Sequence, residues 1–392
     1  FDNVYNKNQF IENVDSLEID LIQSSGGINP DQLNSVSDPL PNENFILRNG
    51  KYSILATFDP FKKKIVQIKD LTAYGINPRN AEQSFAMNML INPKIQLITL
   101  SGKAGTGKST FVEYLRINTF KKIQILAFTG VSAIKGKGRT IHSFFQFPHR
   151  IPNKKKDYKL LRNRDWIKKL DLIIIDEVSM VRADLLDAMD RSLRLNRQKD
   201  LPFGGVQMLF VGDIFQMPPV VKGPEKEVLE KYYPDGPYFF NAKSYLNINP
   251  RYIELEKVFR QKDPKFIEVL EEVRRNRITE ILLDYINQRV QKNLGDIPSG
   301  LIVLAPTNSK TFEINTKKLN GLHSEEFKYT GTTTGNFQLS DMPTEKTIRL
   351  KVGAQVMMVK NNMGKGWVNG TIGFIHKLEN DKIIIKIGKR LH

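Results

Sequence analysis

Gly102-Lys-Ala-Gly-Thr-Gly-Lys-Ser109 carries glycine, lysine and a hydroxyl residue at the spacing G-x-x-x-x-G-K-[ST]. That spacing suits the binding of a nucleoside triphosphate. Gly102, Gly105 and Gly107 let backbone N–H groups turn inward around a polyphosphate, and Thr106 and Thr110 flank the turn and the helix start. Lys108 supplies a point charge for the β and γ phosphates, and the Ser109 hydroxyl can ligate Mg²⁺.

A second group of residues lies further along. The apolar run Leu170–Ile175 ends in Asp176-Glu177. An aspartate there can hold Mg²⁺, and the adjacent glutamate can accept a proton from an attacking water. Gly212-Asp213-Ile-Phe-Gln216-Met-Pro-Pro219 caps another apolar run. Gln216 could reach a γ-phosphate or the lytic water; alternatively the segment is a turn closed by Pro218 and Pro219. In Val258-Phe-Arg260-Gln261 the arginine is either a γ-phosphate ligand, by arginine-finger logic, or a surface residue. Thr129-Gly130-Val-Ser-Ala133 and Arg139-Thr140-Ile-His142-Ser143-Phe144 offer small and hydroxyl residues to DNA phosphates, with Phe144 for base stacking. Taken alone, His142 reads as a structural histidine. Between His149 and Lys169 stand Arg150, Lys154, Lys155, Lys156, Lys159, Arg162, Arg164, Lys168 and Lys169, either a solvated insertion or part of a track along a nucleic-acid backbone.

These groups need a scaffold that presents them together. Ile95–Leu100, Ile123–Phe128, Leu170–Ile175 and Gln207–Val211 read as buried strands, with functional residues at or just past their ends and helical patterns between them. That alternation predicts an α/β fold with a doubly wound parallel sheet. The expected division is a polar tail or linker over 1–44, a small β-hairpin module over 45–72, a first lobe over 73–262 with a basic insertion near 146–169, and a second α/β unit over 263–392. That last unit reads as helix Lys265–Arg275, strand Leu301–Leu304 and helix Ser309–Leu319, with β-rich sequence from about 320 onward.

Composition narrows the class. The net charge of +17 over 392 residues points to a polyanionic partner, nucleic acid ahead of a membrane surface, because no basic amphipathic helix stands out. No apolar run approaches the roughly 20 residues of a membrane span, and no signal-peptide pattern is present. The absence of cysteine removes disulfides and thiolate chemistry, and the five histidines lack metal-ligand spacing. Phe1 in place of methionine suggests a fragment or a processed chain.

Taken in order, GKAGTGKST, AFTGVSA, TIHSFFQFP, IIIDEVSM, FVGDIFQMPPV, VFRQ and APTN resemble the successive motifs of superfamily 1B DNA helicases. The likeness is to the Pif-type (petite integration frequency) branch, related to RecD, and runs from about Leu97 to Gly373. It implies two RecA-like P-loop lobes with ATP and Mg²⁺ between them, translocating 5′-to-3′ on single-stranded DNA and separating strands at forks as a monomer. By position it implies Lys108 and Ser109 on phosphate and metal, Asp176 on Mg²⁺, Glu177 as general base, and Gln216 and Arg260 as γ-phosphate sensors. Thr129, Gly130, Thr140, His142 and Ser143 would contact the strand, joined by Pro306, Thr307 and Asn308. The insertion after Phe147 would be the wedge that parts the strands. The family's role implies DNA repair or recombination, in the cytoplasm and associated with the nucleoid if the source is bacterial.

Two departures qualify the likeness. Asn42 through the phosphate loop resembles instead the entry to a PhoH-type ATPase, whose Arg79-Asn-Ala-Glu-Gln83 segment would let Gln83 read adenine. The chain also lacks the His-Lys-x-Gln-Gly and Val-Ala-Leu-Ser-Arg segments of the family. The second lobe is therefore expected to be incomplete, ending within an inserted small β-barrel. Two rival functions follow: a PhoH-type ATPase acting on RNA, and an ATP- and DNA-binding fragment with little turnover.

Overall fold

The chain enters its fold through a short strand, β1 (Gln9–Ile11), and a helix, α1 (Ser16–Ser24). This is seen in a computed structural model that describes residues 8–69, 78, 80–148, 150–152, 155–221, 223–248, 250–290, 300–332, 344–359, 362, 367 and 370–392. Asp15 starts the helix by accepting from the Leu17 amide at 3.0 Å, which satisfies one of the donors left open at a helix start. Ile19 and Ile22, one turn apart, are buried in a core with Val14, Phe45, Leu47 and Ile65. β1 pairs parallel to β2 (Asn44–Asn49), which continues antiparallel through β3 (Tyr52–Asp59) and β4 (Lys64–Gln67). Gly50, at φ 57°, and Lys51 make the two-residue loop between paired Asn49 and Tyr52. Residues 8–44 are therefore not a tail or linker, and the hairpin module expected over 45–72, whose last three residues lie outside the described residues, supplies β2, β3 and β4 of a four-stranded sheet. The few apolar residues of 8–44 are spread thinly along the chain. Only the pairing of β1 with β2 and the docking of α1 gather Val14, Ile28, Leu33 and Val36 into one core.

Next comes α2 (Ala81–Ile91), capped by Asn80, whose side chain accepts from the Gln83 amide at 3.0 Å. The main lobe then alternates as the apolar runs predict. Its elements are β5 (Leu97–Gly102), α3 (Lys108–Asn118), β6 (Ile123–Ala127), α4 (Gly130–Lys135), β7 (Arg139–Thr140), α5 (Ile141–Phe145), α6 (Arg164–Lys169), β8 (Leu172–Asp176), α7 (Ala183–Arg197), β9 (Gln207–Gly212), α8 (Gly223–Tyr232), α9 (Lys243–Leu246) and β10 (Arg251–Leu255). Six strands form one parallel sheet in the order β10-β5-β9-β8-β6-β7. Both faces are covered. Leu97, Ile173, Ile175, Met208 and Phe210 enter one core, and their neighbours Ile98, Leu100, Ile174, Leu209 and Val211 enter the other. This two-sided burial explains why the strands read as unbroken apolar runs.

Two compact units divide between Leu282 and Leu283, within α11 (Glu280–Asn287), rather than near Asp263. The preceding helix, α10 (Pro264–Arg274), belongs to the first unit because Val269 is buried there and Glu271 and Arg274 pair with Lys103 and Asp213. In the second unit, Thr307 caps α12 (Asn308–Asn320) by accepting from the Lys310 amide at 3.2 Å. β11 (Glu326–Thr330) and β12 (Thr347–Lys351) pair antiparallel; β13 (Gln355–Met357), β14 (Ile372–Leu378), β15 (Ile383–Ile387) and β16 (Arg390–Leu391) form a second antiparallel sheet. The two share a core around Ala354, Ile375 and Leu378. Leu301–Leu304 is not a strand. No described strand pairs with it in a ladder, and Leu304 is 93% exposed.

Candidate active site

β5 delivers the chain to the phosphate loop at Gly102, and α3 leaves it at Lys108. The loop requires glycine at its start and at its middle. A Cβ at Gly102 would stand 2.6 Å from the Leu255 carbonyl oxygen of β10. Gly105, at φ 86°, admits the backbone after β10 so closely that a Cβ there would lie 2.6 Å from the Cβ of Arg260. The Phe259 amide donates to the Gly105 carbonyl at 2.9 Å, pinning the segment that carries Arg260 over the loop. Thr106 is buried and donates to the Lys103 carbonyl at 2.9 Å, whereas Ser109 and Thr110 are exposed at the helix start. The Lys108 ammonium donates to the carbonyls of Gly102 and Lys103, folded back on its own loop. Burial pulls its pKa below the ordinary lysine value; Asp213 and Glu177 oppose that shift, and Arg274 adds to it.

The two carboxylates follow β8. Asp176 is the last residue of the strand and is buried, which raises its pKa, and its Oδ1 accepts from the Glu177 amide at 3.0 Å. Glu177 takes a left-handed backbone, φ 53°, uncommon for a residue other than glycine. Its pKa is raised first by burial and then by Asp176, which favours a group that takes up a proton. Among the described residues no cluster of three or more histidines or acids could hold a metal. The oxygens of Ser109 and Asp176 fit Mg²⁺ instead, an ion that keeps several waters and uses substrate phosphates with one or two side chains.

One residue beyond β9, Asp213 organises the third part. Only 2% exposed, its carboxylate accepts from the Phe215 amide at 3.2 Å, Gln216 Nε2 at 3.1 Å and Arg274 Nε at 3.2 Å. Gln216 is exposed and held by this bond. Gln83 lies in the first turn of α2, where neighbouring Glu82 senses Glu256 and Lys257 just past β10, so this helix start faces the same end of the sheet as the loop. Sequence reasoning missed Arg274, Glu271 and Lys103. Arg274 and Glu271 sit in a charged helix without special spacing, and Lys103 occupies a free position of the loop pattern.

The strand-contact residues divide. Thr129 and Thr140 begin α4 and α5, their hydroxyls accepting from the amides of Ser132 and Ser143, each at 3.2 Å. Gly130 opens α4, and Ser143 is exposed within reach of Arg139. His142 stands edge-on to Phe128, ring centres 6.0 Å apart. Phe144 is corrected: at 1% exposure it lies in the main core against Phe145 and has no face to offer a base. A five-residue helix turns one side inward, and Ile141, Phe144 and Phe145 occupy it. The basic insertion is anchored, since Leu161 and Ile167 are buried in that same core and Arg150 pairs with Asp157. Lys154 and Arg79 lie outside the described residues. Pro306, Thr307 and Asn308 are exposed at the start of α12 in the second unit.

The model of the PIF1-like helicase family matches residues 79–293, and that of the DNA helicase Pif1 2B domain matches 338–378. The chain belongs to the PIF1-like helicase family. The ATP-dependent DNA helicase RRM3 of Saccharomyces cerevisiae is 29% identical over 86% of this chain and 48% of its own length. The ATP-dependent DNA helicase PIF1 of Emericella nidulans is 34% identical over 71% of this chain and 39% of its own. The chain thus spans about half or less of these relatives. A crystal structure of Bacteroides Pif1 bound to single-stranded DNA is 34% identical, with a TM-score of 0.70 over 81% of this chain and 74% of that one. A crystal structure of a Pif1 helicase from Bacteroides with ADP-AlF3 and single-stranded DNA aligns with a TM-score of 0.68 at 34% identity, over 81% of this chain and 74% of its own. The match of the PIF1-like family begins at residue 79, and residues 8–69 precede it.

Proposed function

We propose that this chain carries the motor of an ATP-dependent DNA helicase that moves 5′-to-3′ along single-stranded DNA and parts strands at forks. One observation supports it most. Lys108, the Asp176-Glu177 pair, the Asp213–Gln216 loop and the Arg260 backbone converge on one end of a parallel sheet, around a single phosphate loop. Lys108 leaves its two carbonyls to neutralise the β and γ phosphates of ATP. Glu177 takes the proton of the attacking water as its oxygen bonds to the γ-phosphorus and the bond to the ADP oxygen breaks. Gln216 and Arg260 stabilise the charge that spreads over the γ-phosphoryl oxygens. Mg²⁺, held by Ser109 and Asp176, supplies further charge neutralisation when bound.

DNA crosses the half-buried starts of α4 and α5, with Thr129, Gly130, Thr140, His142 and the exposed Ser143 on phosphates; in the second unit Pro306, Thr307 and Asn308 also contact DNA. The anchored basic insertion acts as the strand-parting wedge. The similar Bacteroides structures hold single-stranded DNA and ADP-AlF3, which supports DNA and a nucleotide as the ligands. We assign the motor as a monomer, although a related structure describes two coordinating Pif1 helicases at forked DNA. The deciding experiment follows phosphate release with and without single-stranded DNA, and unwinding of forks bearing a 5′ or a 3′ tail. Stimulation by DNA and unwinding from the 5′ tail alone support the proposal. RNA stimulation in place of DNA, or a 3′-tail preference, would overturn it.

A further inference from the structure

Gln216 is an exposed, flexible side chain whose task requires a fixed direction. Its tether is Asp213, and a carboxylate only 2% exposed needs a counter-charge of its own. That charge comes from Arg274 at the end of α10, Nε to Oδ1 at 3.2 Å. Arg274 is 88% buried by its side-chain exposure of 12%, and its guanidinium lies 4.4 Å over the Phe215 ring. Its Nη2 is 3.8 Å from Glu254 of β10, and its Nη1 is 3.7 Å from Glu271. Glu271, one turn earlier, also pairs with Lys103 of the phosphate loop at 2.9 Å and with Arg275 at 2.8 Å. Three acids (Asp213, Glu254, Glu271) thus face three bases (Arg274, Lys103, Arg275), so the cluster is balanced. One helix holds both the phosphate loop and the sensor loop.

We propose that Arg274 is a positioning residue for γ-phosphate recognition, acting through Asp213 on Gln216, with the Lys103–Glu271 pair locking the same helix to the phosphate loop. The inference rests on the reading of this site as an ATPase. Without Arg274, Asp213 would be a buried anion that has lost its ion-pair partner. Gln216 would lose its fixed direction with it. ADP lacks the group that Gln216 reads, so its binding should scarcely change.

The test is a double-mutant cycle in this chain, measuring affinities for a fluorescent ADP and a non-hydrolysable ATP analogue. Their ratio reports the γ-phosphate. Arg274→Gln should cut the preference for the ATP analogue roughly tenfold, the scale of one charge-assisted hydrogen bond, and leave ADP affinity within about threefold. Gln216→Ala should cut it similarly, and the double variant should lose no more than the larger single loss. Should Arg274→Gln fail to fold, Arg274→Lys carries the cycle; it keeps a cation by Asp213 but loses the planar stack on Phe215. A purely structural arginine would lower both affinities together. Losses that multiply, or a parent with equal affinity for both ligands, also overturn the proposal. Neither ligand turns over, so an absence of DNA-stimulated hydrolysis counts against the helicase reading while the cycle still decides this one.

Discussion

Gly105→Ala should cripple hydrolysis through a residue far away in sequence. The new Cβ would stand 2.6 Å from the Arg260 Cβ, whereas two aliphatic carbons settle at about 3.5 to 4.0 Å. The segment bearing Arg260 must therefore withdraw by on the order of 1 Å, against the Phe259–Gly105 hydrogen bond that holds it. A misplacement of that size costs about 10²-fold in turnover when the displaced group serves the transition state. The left-handed backbone at φ 86° adds roughly 1–2 kcal/mol of strain, seen as a fall of a few degrees in Tm. Steady-state phosphate release at saturating single-stranded DNA measures the first effect, and a thermal melt the second. Arg260→Gly removes both the guanidinium and the Cβ that would clash. Adding Gly105→Ala to Arg260→Gly should therefore cost little further turnover. Near-parental hydrolysis by Gly105→Ala, or losses that multiply in the pair, would refute the claim that Arg260 works from above the loop.

Lys108→Ala should abolish ATP turnover and leave nucleotide-free affinity for single-stranded DNA within a few fold, by fluorescence anisotropy; a parallel loss of DNA binding would contradict the separation of roles. Glu177→Gln should retain ATP, measurable by filter binding, while hydrolysis falls about 10²- to 10⁴-fold. Because burial and Asp176 raise the Glu177 pKa, the acid limb of turnover should lie above the ordinary carboxylate range. The base works when ionised, so turnover falls as pH drops through that raised value, and a parental profile whose acid limb lies at ordinary carboxylate pH contradicts it. Neutralising exposed Lys156, Lys159 and Arg162 together should lower the slope of log affinity against log salt by roughly two to three if all touch phosphates. An unchanged slope returns the insertion to a solvated role.

The phosphate loop was legible because everything it needs is contiguous: an apolar strand, a glycine turn and a helix whose first residue is the lysine. The parallel sheet was legible too, since strands buried on both faces leave unbroken apolar runs in the sequence. Tertiary structure decided what depends on distant partners. Residues 8–44 look like a linker until β1 finds β2 and α1 covers the sheet. Phe144 looks like a stacking platform until the turn of α5 sends it inward, because five residues carry too little periodicity to reveal which side is buried. Leu301–Leu304 has the composition of a strand, but a strand exists only where a neighbour takes its hydrogen bonds. Arg274 had no signal at all. A charged residue in a charged helix acquires meaning only when folding brings it beside the buried Asp213, where an unpaired carboxylate could not remain.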